Sequence, residues 1–200
     1  EKKMKITLKD GSFKEYDQAM AAIDIAKDIS EGLARVACVA EVDGNVVDLR
    51  TIIDKDCTLN ILTFDSEEGK KAYRHTCAHV LAQAVKNLYP DAKLTIGPAI
   101  DNGYYYDFDM ESLDRAALDA IEKEIIKKGD KLERFELSKE EAIELMTKRD
   151  EPYKVEMIKE HPDTDTLTFY QQGDFIEFCA GPHLMSTKTI KAFKLTSSSA

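Results

Sequence analysis

Short runs of alternating apolar and polar residues fill the first part of the chain. MKITLKDGSFKEY sets Met4, Ile6 and Leu8 along one side of an extended segment and turns at Asp10-Gly11, a pair suited to the left-handed backbone of a tight hairpin. DQAMAAIDIAKDIS changes to helical spacing at Met20, Ile23 and Ile29, with Asp17 as the expected N-cap. ARVACVAEVDGNVVDL returns to alternation and predicts two strands around Asp43-Gly44-Asn45, and CTLNILTF predicts a closing strand.

The polar stretch DSEEGK, residues 65–70, marks a boundary. A helix of about five turns is expected from near Glu67 to Leu88, stopped by Tyr89-Pro90. TIGPAIDNGYYYDFDM predicts two strands joined through Asp101-Asn102-Gly103. A second helix is expected from Ser112 to Lys128, ending at Gly129. A third starts at Ser138, which has capping-box spacing to Glu141 ahead of Ile143, Leu145 and Met146, and Pro152 closes that stretch. The remainder is strand-rich, with a turn at Gln172-Gly173-Asp174. The expected fold class is α+β: a small ubiquitin-like β-grasp over residues 1–64, then a domain over residues 65–200 whose mainly antiparallel sheet is packed by helices.

Composition narrows the class. Hydrophobic residues make up 43% and charged residues 33% of the 200, with 9 Gly and 5 Pro, which excludes collagen-like and low-complexity chains. No apolar run approaches the roughly 20 residues needed to cross a bilayer, so no membrane partner is expected. The start carries no secretion-signal core and begins with Glu1, as a piece of a longer chain would. Cys38, Cys57, Cys77 and Cys179 form no C-x-x-C pair and read as reduced thiols, which points to the cytoplasm. A formal net charge of -10 argues against a simple nucleic-acid coat, although Lys188, Lys191 and Lys194 form a basic strip in a tail without Asp or Glu.

Three of the four histidines fall in two motifs, HTCAH (His75, His79) and CAGPH (Cys179, His183). Positions four apart share a helix face, so His75 and His79 can converge. At about 100° per residue, Tyr73, Cys77, Val80, Leu81, Ala84, Val85 and Leu88 line one side, and the histidines lie opposite, beside Ala78 and Ala82. For such a pair alone, two solvent-facing imidazoles are the simpler reading. The second motif, with its Gly181-Pro182 bend after a strand, favours one shared site instead. One Cys and three His are a permissible tetrahedral zinc set. HTCAH lacks the Glu of a metalloprotease H-E-x-x-H. A metal-free pocket that activates water and a nucleophilic Cys179 with a His partner are the other chemistries open to these residues.

HTCAH, IGPAIDNGYYYDF, EPYKV and CAGPH followed by FKLTSSSA, in that order, resemble the N-terminal half of the threonyl-tRNA synthetase family along the whole chain. The H-x-x-x-H and C-x-x-x-H pairs are shared with the alanyl editing family. The IGP-DNG-YYYDF block and the leading unit select the threonyl branch. The resemblance implies a TGS domain at 1–64 and an editing domain at 65–200, cut short at Ala200. It implies hydrolysis of seryl-tRNA(Thr) by an activated water, at the tRNA 3′ end. It assigns His75, His79, Cys179 and His183 to the two pairs, Lys154 to the editing lysine and Tyr106 to the wall facing the seryl group. In that assignment His75 and Lys154 hold and polarise water, while His79, His183 and Cys179 bind the amine, the ribose hydroxyl and a second water. Without the resemblance, Lys154 reads as a solvated surface lysine.

Two positions depart from the family pattern: Glu177 stands where an Asp is usual, and Ala180 where many relatives carry Arg. Tyr104 and Tyr105 are expected to divide between packing and pocket. The resemblance also implies a site that works without zinc, no ATP chemistry in this part of the chain, and a dimeric parent whose contacts lie elsewhere, so that this piece is monomeric. The alternatives are a non-catalytic TGS-type RNA- or partner-binding module and a zinc-dependent alanyl-type deacylase holding the metal through His75, His79, Cys179 and His183.

Overall fold

Met4–Leu8 (β1) and Phe13–Tyr16 (β2) pair antiparallel across the Asp10-Gly11 turn, where Gly11 takes φ 87°. Met20–Ala21 (β3), the helices Ala22–Ile29 (α1) and Glu31–Val36 (α2), and the hairpin Ala37–Val42 (β4) and Asn45–Val47 (β5) follow. Ile52–Ile53 (β6) pairs with β3, and Cys57–Thr63 (β7) enters the main sheet, whose order is β2-β1-β7-β4-β5 with β1 and β7 parallel. Ala22, Ile23 and Ile25 of α1 join Met4, Ile6, Ala40, Leu49, Ile53 and Leu59 in one aliphatic cluster, which makes this unit a β-grasp.

Asp17 is not the N-cap of α1. Met20 and Ala21 are drawn into a ladder with Ile53 and Ile52, so the helix starts only at Ala22. Backbone carbonyls of Thr51 and Leu49 accept the N–H groups of Ala22 and Ile23, both at 2.9 Å, and do the work of a capping side chain. Helix α2, which the periodicity does not announce, is capped by Ser30 Oγ accepting from the Leu33 N–H.

The computed structural model describes residues 2–126 and 129–200. They divide into one unit of residues up to Tyr73 with Gly181–Met185, and another of Arg74–Ala180 with Ser186–Ala200. The division falls inside Glu67–Leu88 (α3), which ends at Tyr89-Pro90. The IGP-DNG-YYYDF segment is one irregular hairpin rather than two long strands. Lys93–Leu94 (β8) pairs with Phe108–Asp109 (β11), and Ala99–Ile100 (β9) with Gly103–Tyr104 (β10). Arg115–Ile126 (α4) starts after Asp114, whose carboxylate accepts the Ala117 N–H at 2.8 Å; its expected end at Lys128 lies outside the described residues.

Glu133–Ser138 (β12), Thr166–Gln172 (β13) and Phe175–Phe178 (β14) form an antiparallel sheet. Lys139–Lys148 (α5) opens on the capping box of Ser138 and Glu141. Pro152 does not merely end that stretch. It opens a further helix, Pro152–Lys159 (α6), where its missing N–H would have had no helical partner. Ala142, Met146 and Ile158 of these helices pack with Leu167 and Phe169. Val80, Leu81, Ala84 and Val85 of α3 pack with Leu118, Ile121 and Ile125 of α4. Among the described residues no helix is long and apolar enough to cross a membrane.

Candidate active site

Helix α3 is buried nearly all round in its middle. Val80, Leu81, Ala84 and Val85 serve one apolar cluster, while Ala82 serves another with Leu94 and Phe175. The face opposite the expected stripe is therefore interior too, and His79 is only 2% exposed. Its ring meets Phe175 edge-on at 6.4 Å and His75 at 5.4 Å. The simple picture of two solvent-facing imidazoles fails for His79; His75 is half-buried.

The second element is β14. Its period of two turns Phe175 and Glu177 inward, and the Cys179 N–H donates to the Thr168 carbonyl at 3.1 Å, which carries the pairing one step beyond the strand. Cys179 Sγ lies 3.4 Å from His75 Nε2. Within this unit the donor atoms of His75, His79 and Cys179 all fall within 4.8 Å of one another. His183 belongs to the segment Gly181–Met185, which is grouped with the first unit; it is fully buried, and its N–H donates to Asp48 Oδ2 at 3.2 Å. Gly181 there takes φ 76° ahead of a cis bond to Pro182.

Lys154 is not a solvated surface lysine. It sits in the first turn of α6, on the buried face it shares with Ile158 four residues on. Lys154 and Glu177 are 3% and 2% exposed, and Nζ stands 2.7 Å from Glu177 Oε1. Tyr106 donates its hydroxyl proton to Glu177 Oε2, and its ring lies 5.9 Å from the Lys154 ammonium. The longer side chain at 177 thus spans a lysine and a tyrosine at once. Tyr104 packs on Phe193 with ring centroids 5.2 Å apart, and Tyr105 is exposed.

Burial governs the protonation states. It drives His79 well below the ordinary imidazole range, helped by His75 and the Lys154 charge, so His79 is neutral near pH 7. It raises Glu177 above the usual carboxylate value against the opposing pull of Lys154 and Tyr106. Tyr106 is raised well above the usual phenol value, by burial first and then by Glu177. The Cys38 and Cys77 thiols are pushed up by burial, to about 11 and about 12, and are poor nucleophiles.

Two contributors carry no chemical signal of their own in the sequence. Phe175 walls His79, and only its two-residue spacing from Glu177 on a strand hints at it. A Cβ at Gly97 would lie 2.2 Å from Tyr106 Cδ2, so the IGP glycine is what lets that ring lie against the backbone. A cavity of about 530 Å³ opens elsewhere in this unit, lined by Gln83, Lys86, Arg149, Glu151, Asp174 and Phe175 among others. None of the seven residues named from the sequence lines it; Phe175 links its wall to His79.

A partly enclosed set of two imidazoles and a thiol, beside a buried lysine–carboxylate–phenol chain, has the groups needed to orient water and move a proton. Comparison with known proteins places the chain in a class. The TGS domain model matches residues 4–63, and the model described as "Threonyl and Alanyl tRNA synthetase second additional domain" matches residues 167–200, which include Cys179 and His183. The chain is 58% identical over 198 residues to a threonine–tRNA ligase of Acetivibrio thermocellus, 54% identical over 200 to one of Caldanaerobacter subterraneus, and 52% identical over 198 to one of Clostridioides difficile. These alignments take in 97–98% of this chain and 31% of each relative, so the chain spans about a third of their length. It belongs to the threonyl-tRNA synthetase family, as an N-terminal region that carries the TGS domain and the second additional domain.

Proposed function

We propose that this region is the proofreading part of a cytoplasmic threonyl-tRNA synthetase and hydrolyses the ester of seryl-tRNA(Thr) with an activated water. Serine differs from threonine by one methyl group, worth only about 1–3 kcal/mol of discrimination, so a second, hydrolytic site is the physical remedy. The observation that carries the reading is the buried Lys154–Glu177 pair, whose charge reaches the neutral His79. A buried ion pair is a weak source of stability, so its place beside two imidazoles and a thiol is better explained by chemistry.

In this reading His75 takes a proton from water, since imidazole titrates closest to neutrality, and the Lys154 charge favours the oxyanion that follows. His79, His183 (through the C-x-x-x-H spacing) and Cys179 bind the substrate amine, the ribose hydroxyl and a second water. Tyr106 and Glu177 shape the wall that admits serine and rejects the larger threonine. The partner is the aminoacylated 3′ end of tRNA(Thr), with ATP chemistry and dimer contacts in the remainder of the parent protein.

The test is release of serine from mischarged seryl-tRNA(Thr). His75→Ala and Lys154→Ala are each expected to cut the rate about a hundredfold or more. Unchanged hydrolysis in both variants overturns the assignment and leaves a TGS-type binding module.

The spread of donor atoms supports a second reading. With His75, His79 and Cys179 so close, and His79 neutral, the residues fit a zinc ion, which would supply a Lewis acid for water, with His183 as the fourth donor by spacing. Stoichiometric zinc whose removal by chelator abolishes deacylation would establish it, and full activity of metal-free protein would dismiss it.

A further inference from the structure

Leu49 is fully buried in the β-grasp core, and its neighbours Asp48 and Arg50 pair at 2.9 Å in the turn between β5 and β6. The turn is braced from within. Asp48 Oδ1 accepts the Arg50 N–H at 2.8 Å, and the Asp48 carbonyl accepts the Thr51 N–H at 3.0 Å. It is also anchored to α1, whose first two N–H groups bond to Thr51 and Leu49. The Asp48 and Arg50 side chains are only 10% and 14% exposed, so the pair is largely out of water.

What these charges hold is the backbone of His183. Arg50 Nη1 donates to the His183 carbonyl at 3.3 Å and Nη2 to the Leu184 carbonyl at 2.9 Å, while Asp48 Oδ2 accepts the His183 N–H at 3.2 Å. Both polar backbone groups of His183 are thus tied to one ion pair, and Met185 packs into the same core two residues later. A planar guanidinium holds its donors in a fixed fork, which here serves a carboxylate and two successive carbonyls together.

We propose that Asp48 and Arg50 are positioning residues for His183. The clamp fixes the backbone at His183, and with it the direction in which the imidazole leaves the chain. What His183 does once positioned rests on the deacylase reading; the hold on its backbone does not.

The full chain has only four histidines, so imidazole NMR signals can follow each ring separately. Arg50→Ala and Asp48→Asn are expected to shift the imidazole resonances of His183 while leaving those of His161 in place. Deacylation kcat/KM should fall roughly ten- to hundredfold, in keeping with the cost of about 1 Å of misplacement of a substrate-binding group. Arg50→Lys should not restore it. Arg35→Ala, which removes an exposed arginine from α2, should change neither readout. If Arg50→Ala does not fold, Asp48→Asn, which conserves volume, carries the measurement. Unmoved His183 resonances in a folded variant overturn the clamp whatever the hydrolysis rate. Moved resonances with unchanged kcat/KM overturn its role in the reaction. Insensitivity of hydrolysis to His75→Ala and Lys154→Ala would instead sink the deacylase reading and leave the clamp standing.

Discussion

The β-grasp core is aliphatic, with Ile6, Ile25, Leu49 and Leu59 sealed from water and pairs such as Lys14–Asp28 left at the surface. The second unit buries His79, Glu151, Lys154 and Glu177 among its apolar side chains. The second unit spends desolvation energy on groups that an aliphatic packing would have avoided. Stability explains the first arrangement and not the second. Apart from the Asp48–Arg50 pair at His183, the cost falls on these groups of the second unit, which is what a reaction site looks like from the inside.

Breaking the buried pair gives the largest contrast. Lys154→Met strands Glu177 and should cost about 3–5 kcal/mol by urea unfolding, whereas Lys154→Met with Glu177→Leu should recover part of it, because two apolar groups need no partner while the Tyr106 hydroxyl loses its acceptor. Both variants should lose deacylation, which separates stability from activity; a double variant as unstable as the single would make the pair structural. In the other core, Leu59→Ala should cost about 2–5 kcal/mol and leave kcat/KM of the folded fraction unchanged.

Proton linkage sharpens the contrast further. Since folded His79 titrates well below 6.5, the unfolded chain binds a proton below about pH 6.5 that the folded chain refuses. Its contribution is complete above that pH and is lost on acidification, by up to about 1.4 kcal/mol per pH unit. Glu177 acts with the opposite sign: its folded value is raised above 4.5, so the folded chain takes the extra proton first and regains some stability there. Urea midpoints from about pH 7 to 5.5 should therefore fall in the parent and flatten in His79→Gln. The smallest effect belongs to a helix end: Ser138→Ala should cost about 1 kcal/mol by the same measurement.

Local signals made much of the architecture legible. Asp10-Gly11, the Tyr89-Pro90 stop and the Ser138–Glu141 box each act within a few residues, and the structure keeps all three. The start of α1 was not legible, since its N–H groups are met by carbonyls nearly thirty residues away that no local pattern encodes. Pro152 was read as a stop because proline punctuates helices at both ends, and only packing of Ile158 against the sheet decides that a helix begins there. Burial of Lys154 was invisible for the same reason: the residue type argues for solvent, and its partner is 23 positions away on another element. Spacing alone suggested that His75 and His79 could meet, but not that Phe175 would close over one of them.

The hydrogen that serves as the side chain of Gly97 is in effect a spacer of the smallest possible gauge. Exchange it for a methyl and the Tyr106 ring must slide, carrying its hydroxyl away from Glu177, so that an alteration with no charge of its own would be felt as a change in who holds a proton two elements away.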